Sequence, residues 1–266
     1  MIRQYLLTAA LIFCAAITLV GQKTIKLPDG TPMTIIKKGT ICYGSDVDVH
    51  GFNPAPVVKD FGKSGNTEDA EFIVEYRGFP STHQAAIDRA LEIVSSLFKS
   101  PVPIYVDADY QDLSNDSPGA LAGAFFNINA TNLNFNNVPH FNVWYPIPLI
   151  EKLVGFQLTG PTDADIEITV NSDANWFTDF NNPGNITSGQ FDLVTVILHE
   201  LFHGLGFAGF ATVDENTGNG ILLAGAVSGD DFPFVFDYYV ENSGGDRIVS
   251  TIQDNSTAAA NFLQGG

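Results

Sequence analysis

The chain has 266 residues and a formal charge of −18, from 12 basic against 30 acidic side chains. That balance excludes nucleic acid and anionic membrane surfaces as partners, because both are bound through basic patches. A hydrophobic fraction of 45% is enough for one large or two small globular units with a real core.

Residues 1–21, MIRQYLLTAALIFCAAITLVG, begin with a basic Arg3 and continue as an apolar run from Leu6 to Val20. This is the pattern of a secretory signal peptide, and it falls short of the roughly 20 apolar residues of a membrane span. The expectation is a secreted protein, extracellular or periplasmic, with no stable membrane association after signal removal. Cys14 falls in the signal, so Cys42 would remain alone and no internal disulfide could form.

Residues 22–66 are polar and punctuated by Pro and Gly, which reads as an N-terminal extension or short pro-segment, with regular structure beginning at Thr67. Glu71–Tyr76 (EFIVEY) has strand composition. Ser81–Phe98 carries a helical apolar stripe, Ala85, Ala86, Ile87, Ala90, Leu91, Val94, Leu97 and Phe98, with Ser81 as its expected cap. Val102–Val106 follows as a second strand, and strand, helix, strand makes a parallel crossover the default. Gly119–Ile128 reads as a strand or a loop, and Asn127–Pro148, rich in Asn, Pro and aromatics, has no readable element. Asp165–Val170 alternates polar and apolar residues, as a strand with one wet face does.

The most informative stretch is Leu193–Phe210, LVTVILHELFHGLGFAGF. Val194, Ile197, Leu198, Leu201 and Leu205 follow helical spacing, Asp192 is placed as the cap, and Gly204 and Gly206 as the stop. Within it His199, Glu200 and His203 form H-E-x-x-H. Residues four apart share a helix face, so both imidazoles can reach one Zn²⁺, while Glu200 beside them can act as general base toward a water. Burying such groups unpaired costs several kcal/mol, so something must satisfy them.

His199–Phe207, HELFHGLGF, resembles the metzincin zinc metalloproteases, and most of all their leishmanolysin-like branch with its bacterial relatives. The resemblance implies an α+β, zincin-type fold. Its sheet would be twisted and mostly parallel, with two main helices, the second carrying HExxH, and an irregular C-terminal subdomain after them. It further implies a zinc-dependent endopeptidase acting on protein or peptide substrates, with residues 67–266 as the protease domain. In that family the strand before the zinc helix is a sheet edge that pairs with substrate, which makes Ile166–Val170 the candidate.

The third histidine of the common signature would fall at Gly209, and in the leishmanolysin-like branch it comes much later, ahead of a methionine turn. Here His203 is the last histidine, and Met1 and Met33 are the only methionines. Two expectations follow: a chain incomplete at its C-terminus, preferred because Ala258–Gly266 carries no helix stop or closing strand, or a site completed by Asp237. A non-catalytic extracellular binding module with a degenerate zincin fold is the alternative function. Cys42 is either a latency ligand for the metal or an incidental thiol. Asp107, Asp109, Asp112 and Asp116 lack the glycine and terminal glutamate of an EF-hand, which leaves calcium open. Phe232–Val240 (FPFVFDYYV) reads as a β-type aromatic segment, used for core packing or as a substrate side-chain pocket.

Overall fold

The structure is a computed structural model that describes residues 21–26, 32–43, 69–114, 117–130, 138–160, 163–225 and 231–264. The signal-like segment lies outside them except for Gly21, as do His50 and Asp116.

Among the described residues the central sheet has seven strands: β1 (Gly21–Lys26), β2 (Pro32–Tyr43), β3 (Phe72–Arg77), β4 (Ile104–Gln111), β5 (Ala120–Ala130), β6 (Trp144–Pro146) and β7 (Ile166–Asn171). The order is β1-β2-β5-β7-β4-β3, with β6 pairing β5 off this path. β3, β4 and β7 are mutually parallel, and β5 runs against β7, β2 and β6. Most strands therefore point one way, with β5 and β1 reversed, in an α+β fold.

Regular structure starts well before Thr67. β1 and β2 form a hairpin within the segment read as an extension, and β2 lies along β5 in antiparallel register, Ile36 opposite Ile128 and Cys42 opposite Ala122. β7 corrects a second expectation. It is not an edge, because β4 bonds one side of it (Val106 opposite Ile166) and β5 the other (Ala124 opposite Ile168).

Helix α1 (Ser81–Leu97) buries Ala86, Ile87, Ala90, Leu91 and Val94 of the expected stripe but leaves Ala85 and Leu97 exposed, and Pro80 rather than Ser81 takes the cap position. Together with α3 (Leu193–Gly204) it covers the sheet face made by Ile104, Val106 and Ala108 of β4 and Ile166, Ile168 and Val170 of β7. A second core gathers Met33 and Ile35 of β2, Phe126 and Ile128 of β5, and Ile147 and Ile150 of α2 (Ile147–Val154). Two features of Phe232–Val240 join it: Phe234 lies in this core, and Val235–Tyr238 forms the helical turn α4 instead of a strand. α5 (Ile248–Thr251) and α6 (Thr257–Leu263) pack with Leu222 in a third, smaller cluster. No helix among the described residues is long and apolar enough to cross a membrane.

A buried acidic pair ties α2 to the start of β7. Glu151 Oε1 accepts the Leu158 and Thr159 amides at 2.6 and 2.9 Å, Asp165 Oδ2 accepts the Tyr105 amide at 2.9 Å, and the Thr159 hydroxyl lies between the two carboxyls. Burial, and then the neighbouring Asp165 charge, pushes the Glu151 carboxyl up, and burial does the same to Asp165. The folded protein thus keeps protons that the unfolded chain has released above the ordinary carboxylate range. The resulting stability is complete in acid and is lost as pH rises through the folded-state values. Melts between about pH 5 and pH 8 are expected to show wild type losing at least about 1.4 kcal/mol relative to Glu151→Gln, one pKa unit's worth, or roughly 3–6 °C in Tm. The comparison cancels the general self-repulsion of an acidic chain, and parallel curves for the two proteins would refute the pair's role.

Candidate metal centre

α3 begins as its sequence predicts, with Asp192 Oδ2 accepting the Thr195 amide at 3.0 Å. Near its end it runs against the sheet: a Cβ on Gly204 would stand 2.6 Å from the Ile166 side chain, so only a glycine permits this approach. The chain then turns at Gly206, whose φ of +110° lies in the region that favours glycine. This brings the Phe207 carbonyl back onto the last turn of the helix.

The structure brings His199 and His203 together. Their Nε2 atoms are 2.8 Å apart, with the rings nearly perpendicular at 83°. His203 Nδ1 lies 2.6 Å from the Phe207 carbonyl oxygen, and because a carbonyl only accepts, Nδ1 carries the proton. In neutral His203 the Nε2 lone pair is thereby left facing His199. Burial pushes the His203 imidazole below its ordinary pKa, which favours that neutral form. Metal-ligating histidines are arranged in this way, one nitrogen donating to a carbonyl and the other free to coordinate.

Glu200 is the outlier among the carboxylates. Glu151, Asp165 and Asp237 are also buried, and each accepts hydrogen bonds from the chain. Glu200 is 0% exposed, yet neither of its oxygens has a partner. Burial alone pushes its carboxyl up to about 8. A buried unpartnered carboxyl costs about 1–3 kcal/mol or more, so its retention calls for a compensating use.

These residues fit a divalent cation in their donor chemistry. Two nitrogens on a tetrahedral zinc, at 2.0–2.1 Å each, stand about 3.3 Å apart. The observed 2.8 Å suits a hydrogen bond from His199 Nε2–H to His203, and a small opening of the two rings would admit the ion. Among the described residues, no group of three or more His, Cys, Asp or Glu is placed to hold a metal. Asp237, the expected alternative third ligand, instead accepts the Phe210 amide at 2.7 Å.

Two histidines isolated in sequence and the acidic residues of 107–112 have local roles. His140 Nε2 lies 2.7 Å from the Tyr239 hydroxyl and His83 Nε2 lies 3.4 Å from that of Tyr110. Asp107 and Asp109 pair with Arg77, and Asp112 accepts the Ser114 amide. Sequence reasoning missed the Phe207 carbonyl. Its only trace there was a Gly-x-Gly stop directly after the second histidine, which forces a turn. Exposed rings border the site: Phe202 and Phe207 meet edge to face at 6.0 Å, and Phe207 meets Phe236 at 5.5 Å.

The fold and site together define an α+β protein whose sheet-packed helix carries a convergent histidine pair beside a buried glutamate. Residues 68–217, more than half of the chain, match the family model described as SPBPB7E8-like, and the chain belongs to that family. The matched region contains α1, the parallel strands and the whole of α3. No curated protein and no solved structure matches the chain.

Proposed function

We propose that the protein is a secreted zinc-dependent metalloendopeptidase, of a zincin type similar to the metzincins. One observation carries the reading: a fully enclosed Glu200 without partners follows His199 directly and precedes His203 by three residues, and the Nε2 atoms of those two imidazoles converge. His199 and His203 would hold the ion. When bound, zinc supplies a lowered water pKa and polarisation of the scissile carbonyl. Glu200 then takes a proton from the attacking water at a carboxylate oxygen and passes it to the leaving amine. The signal-like N-terminus supports export.

A catalytic zinc normally has three protein ligands, and among the described residues no group of three or more His, Cys, Asp or Glu is placed to hold one. That observation favours a second reading, a non-catalytic extracellular binding module on the same fold. The two separate on one preparation. The endopeptidase takes up one zinc per chain and cleaves an unfolded protein in a reaction stopped by a chelator and restored by zinc. A chain that takes up no zinc, or whose cleavage ignores the chelator, is not this enzyme.

A further inference from the structure

The stretch after α3 is fixed at three points. At the helix end, the Gly206 amide donates to the His203 carbonyl at 3.0 Å and the Phe207 amide to the Phe202 carbonyl at 2.8 Å. Next, the Phe207 carbonyl accepts His203 Nδ1–H. Last, the Phe210 amide donates to Asp237 Oδ2 at 2.7 Å, a buried bond to a residue of α4 that is distant in sequence, with the Ala211 amide also on that carboxylate. Only Ala208 and Gly209 separate the carbonyl that orients His203 from the amide that Asp237 holds.

The other carboxylate oxygen explains Gly209. A Cβ at this position would stand 3.0 Å from Asp237 Oδ1, with the nearest Phe236 atoms at ordinary distances of 3.6 and 3.7 Å. Its φ lies outside the left-handed region, so the backbone itself tolerates alanine. A side chain at 209 would therefore press on the Asp237 carboxylate, which would have to give by a few tenths of an ångström.

We propose that Asp237 is the positioning residue of the histidine pair: by clamping the loop at Phe210, against a bare Gly209, it sets the Phe207 carbonyl that fixes the tautomer and orientation of His203. The consequence for zinc rests on the metal reading given above, whereas the consequence for the tautomer does not.

Nitrogen-15 spectra of the imidazoles in the zinc-free full chain test the clamp, and competition with a chromophoric chelator measures zinc affinity. Wild-type His203 is expected to be protonated at Nδ1. Asp237→Ala and Gly209→Ala are expected to show a mixture of tautomers and roughly 10–100-fold weaker zinc binding, the usual cost of losing a supporting group. Asp237→Asn, whose amide oxygen still accepts from Phe210, restores the wild-type tautomer and most of the affinity. Should Asp237→Ala not fold, Gly209→Ala decides alone, since it crowds the carboxylate without removing it. A folded Asp237→Ala or Gly209→Ala protein with an unchanged His203 tautomer overturns the proposal. Wild type without zinc affinity overturns the metal reading only, and the tautomers still decide the clamp.

Discussion

On the proposed endopeptidase reading, the Glu200→Gln protein is expected to take up zinc as wild type does and to lose peptide-bond cleavage by about 10²–10⁴-fold, the usual contribution of a positioned acid–base group. That is about 3–5 kcal/mol of barrier at 1.36 kcal/mol per tenfold. Glutamine has nearly the same shape, so the packing around a fully buried side chain is preserved and only the capacity to take a proton disappears. The site makes this substitution unusually clean. Neither oxygen of Glu200 accepts a hydrogen bond, so no structural bond is broken by the exchange. The same substitution at Glu151 alters a carboxylate that accepts the Leu158 and Thr159 amides and is expected to act through stability alone. Single-turnover rates beside zinc stoichiometry check the contrast. Cleavage by Glu200→Gln within tenfold of wild type would move the base elsewhere, and loss of zinc would make Glu200 part of the ion's support.

The parts of the fold legible in the sequence are those where one signal acts alone. α1 and α3 carry unbroken helical stripes, and they appear as Ser81–Leu97 and Leu193–Gly204, with Asp192 as the predicted cap of the second. β3 and β4 appear within a few residues of the EFIVEY and VPIYV runs. Legibility fails where composition and pattern conflict. Met33 and Ile35 alternate as a half-buried strand requires, but the prolines and glycines around them dominate the local reading and hide β2. α2 opens with Pro148 in its first turn, a position helices tolerate, yet next to Asn-, Pro- and aromatic-rich sequence it gives no helical stop or start. In α4 the aromatic composition points to a strand. The chain turns there because Phe234 enters the core and its carbonyl accepts the Tyr238 amide. The histidine pair was readable from spacing alone, since four residues is about one helical turn. The isolation of Glu200, the Phe207 carbonyl and the Asp237 clamp depend on what long-range packing brings or withholds, and no local pattern encodes that.

Phe234→Ala is expected to cost about 3–5 kcal/mol of stability, the range for truncating a buried aromatic side chain, against a total of about 5–15 kcal/mol for a domain. Phe234 is 0% exposed and stands edge-on to Phe210 at 4.6 Å and beside Phe126 at 6.2 Å. It therefore joins three parts of the chain: β5 through Phe126, the loop after α3 through Phe210, and β6 through the bridge to Trp144, whose amide donates to the Pro233 carbonyl. Two consequences separate this residue from an ordinary core position. Asp237 follows it by three residues on the same turn, so a cavity at Phe234 loosens the carboxylate and the Phe210 amide together. Zinc should then stabilise the variant less than it stabilises wild type, because binding has to reorder the loop. Phe234→Leu, which fills most of the space, should recover more than half of the loss in both measurements. Guanidinium unfolding with and without zinc gives the two quantities. A cost below about 1 kcal/mol would mean that this core collapses around the gap, and an undiminished zinc effect would mean that the histidine pair is held without it.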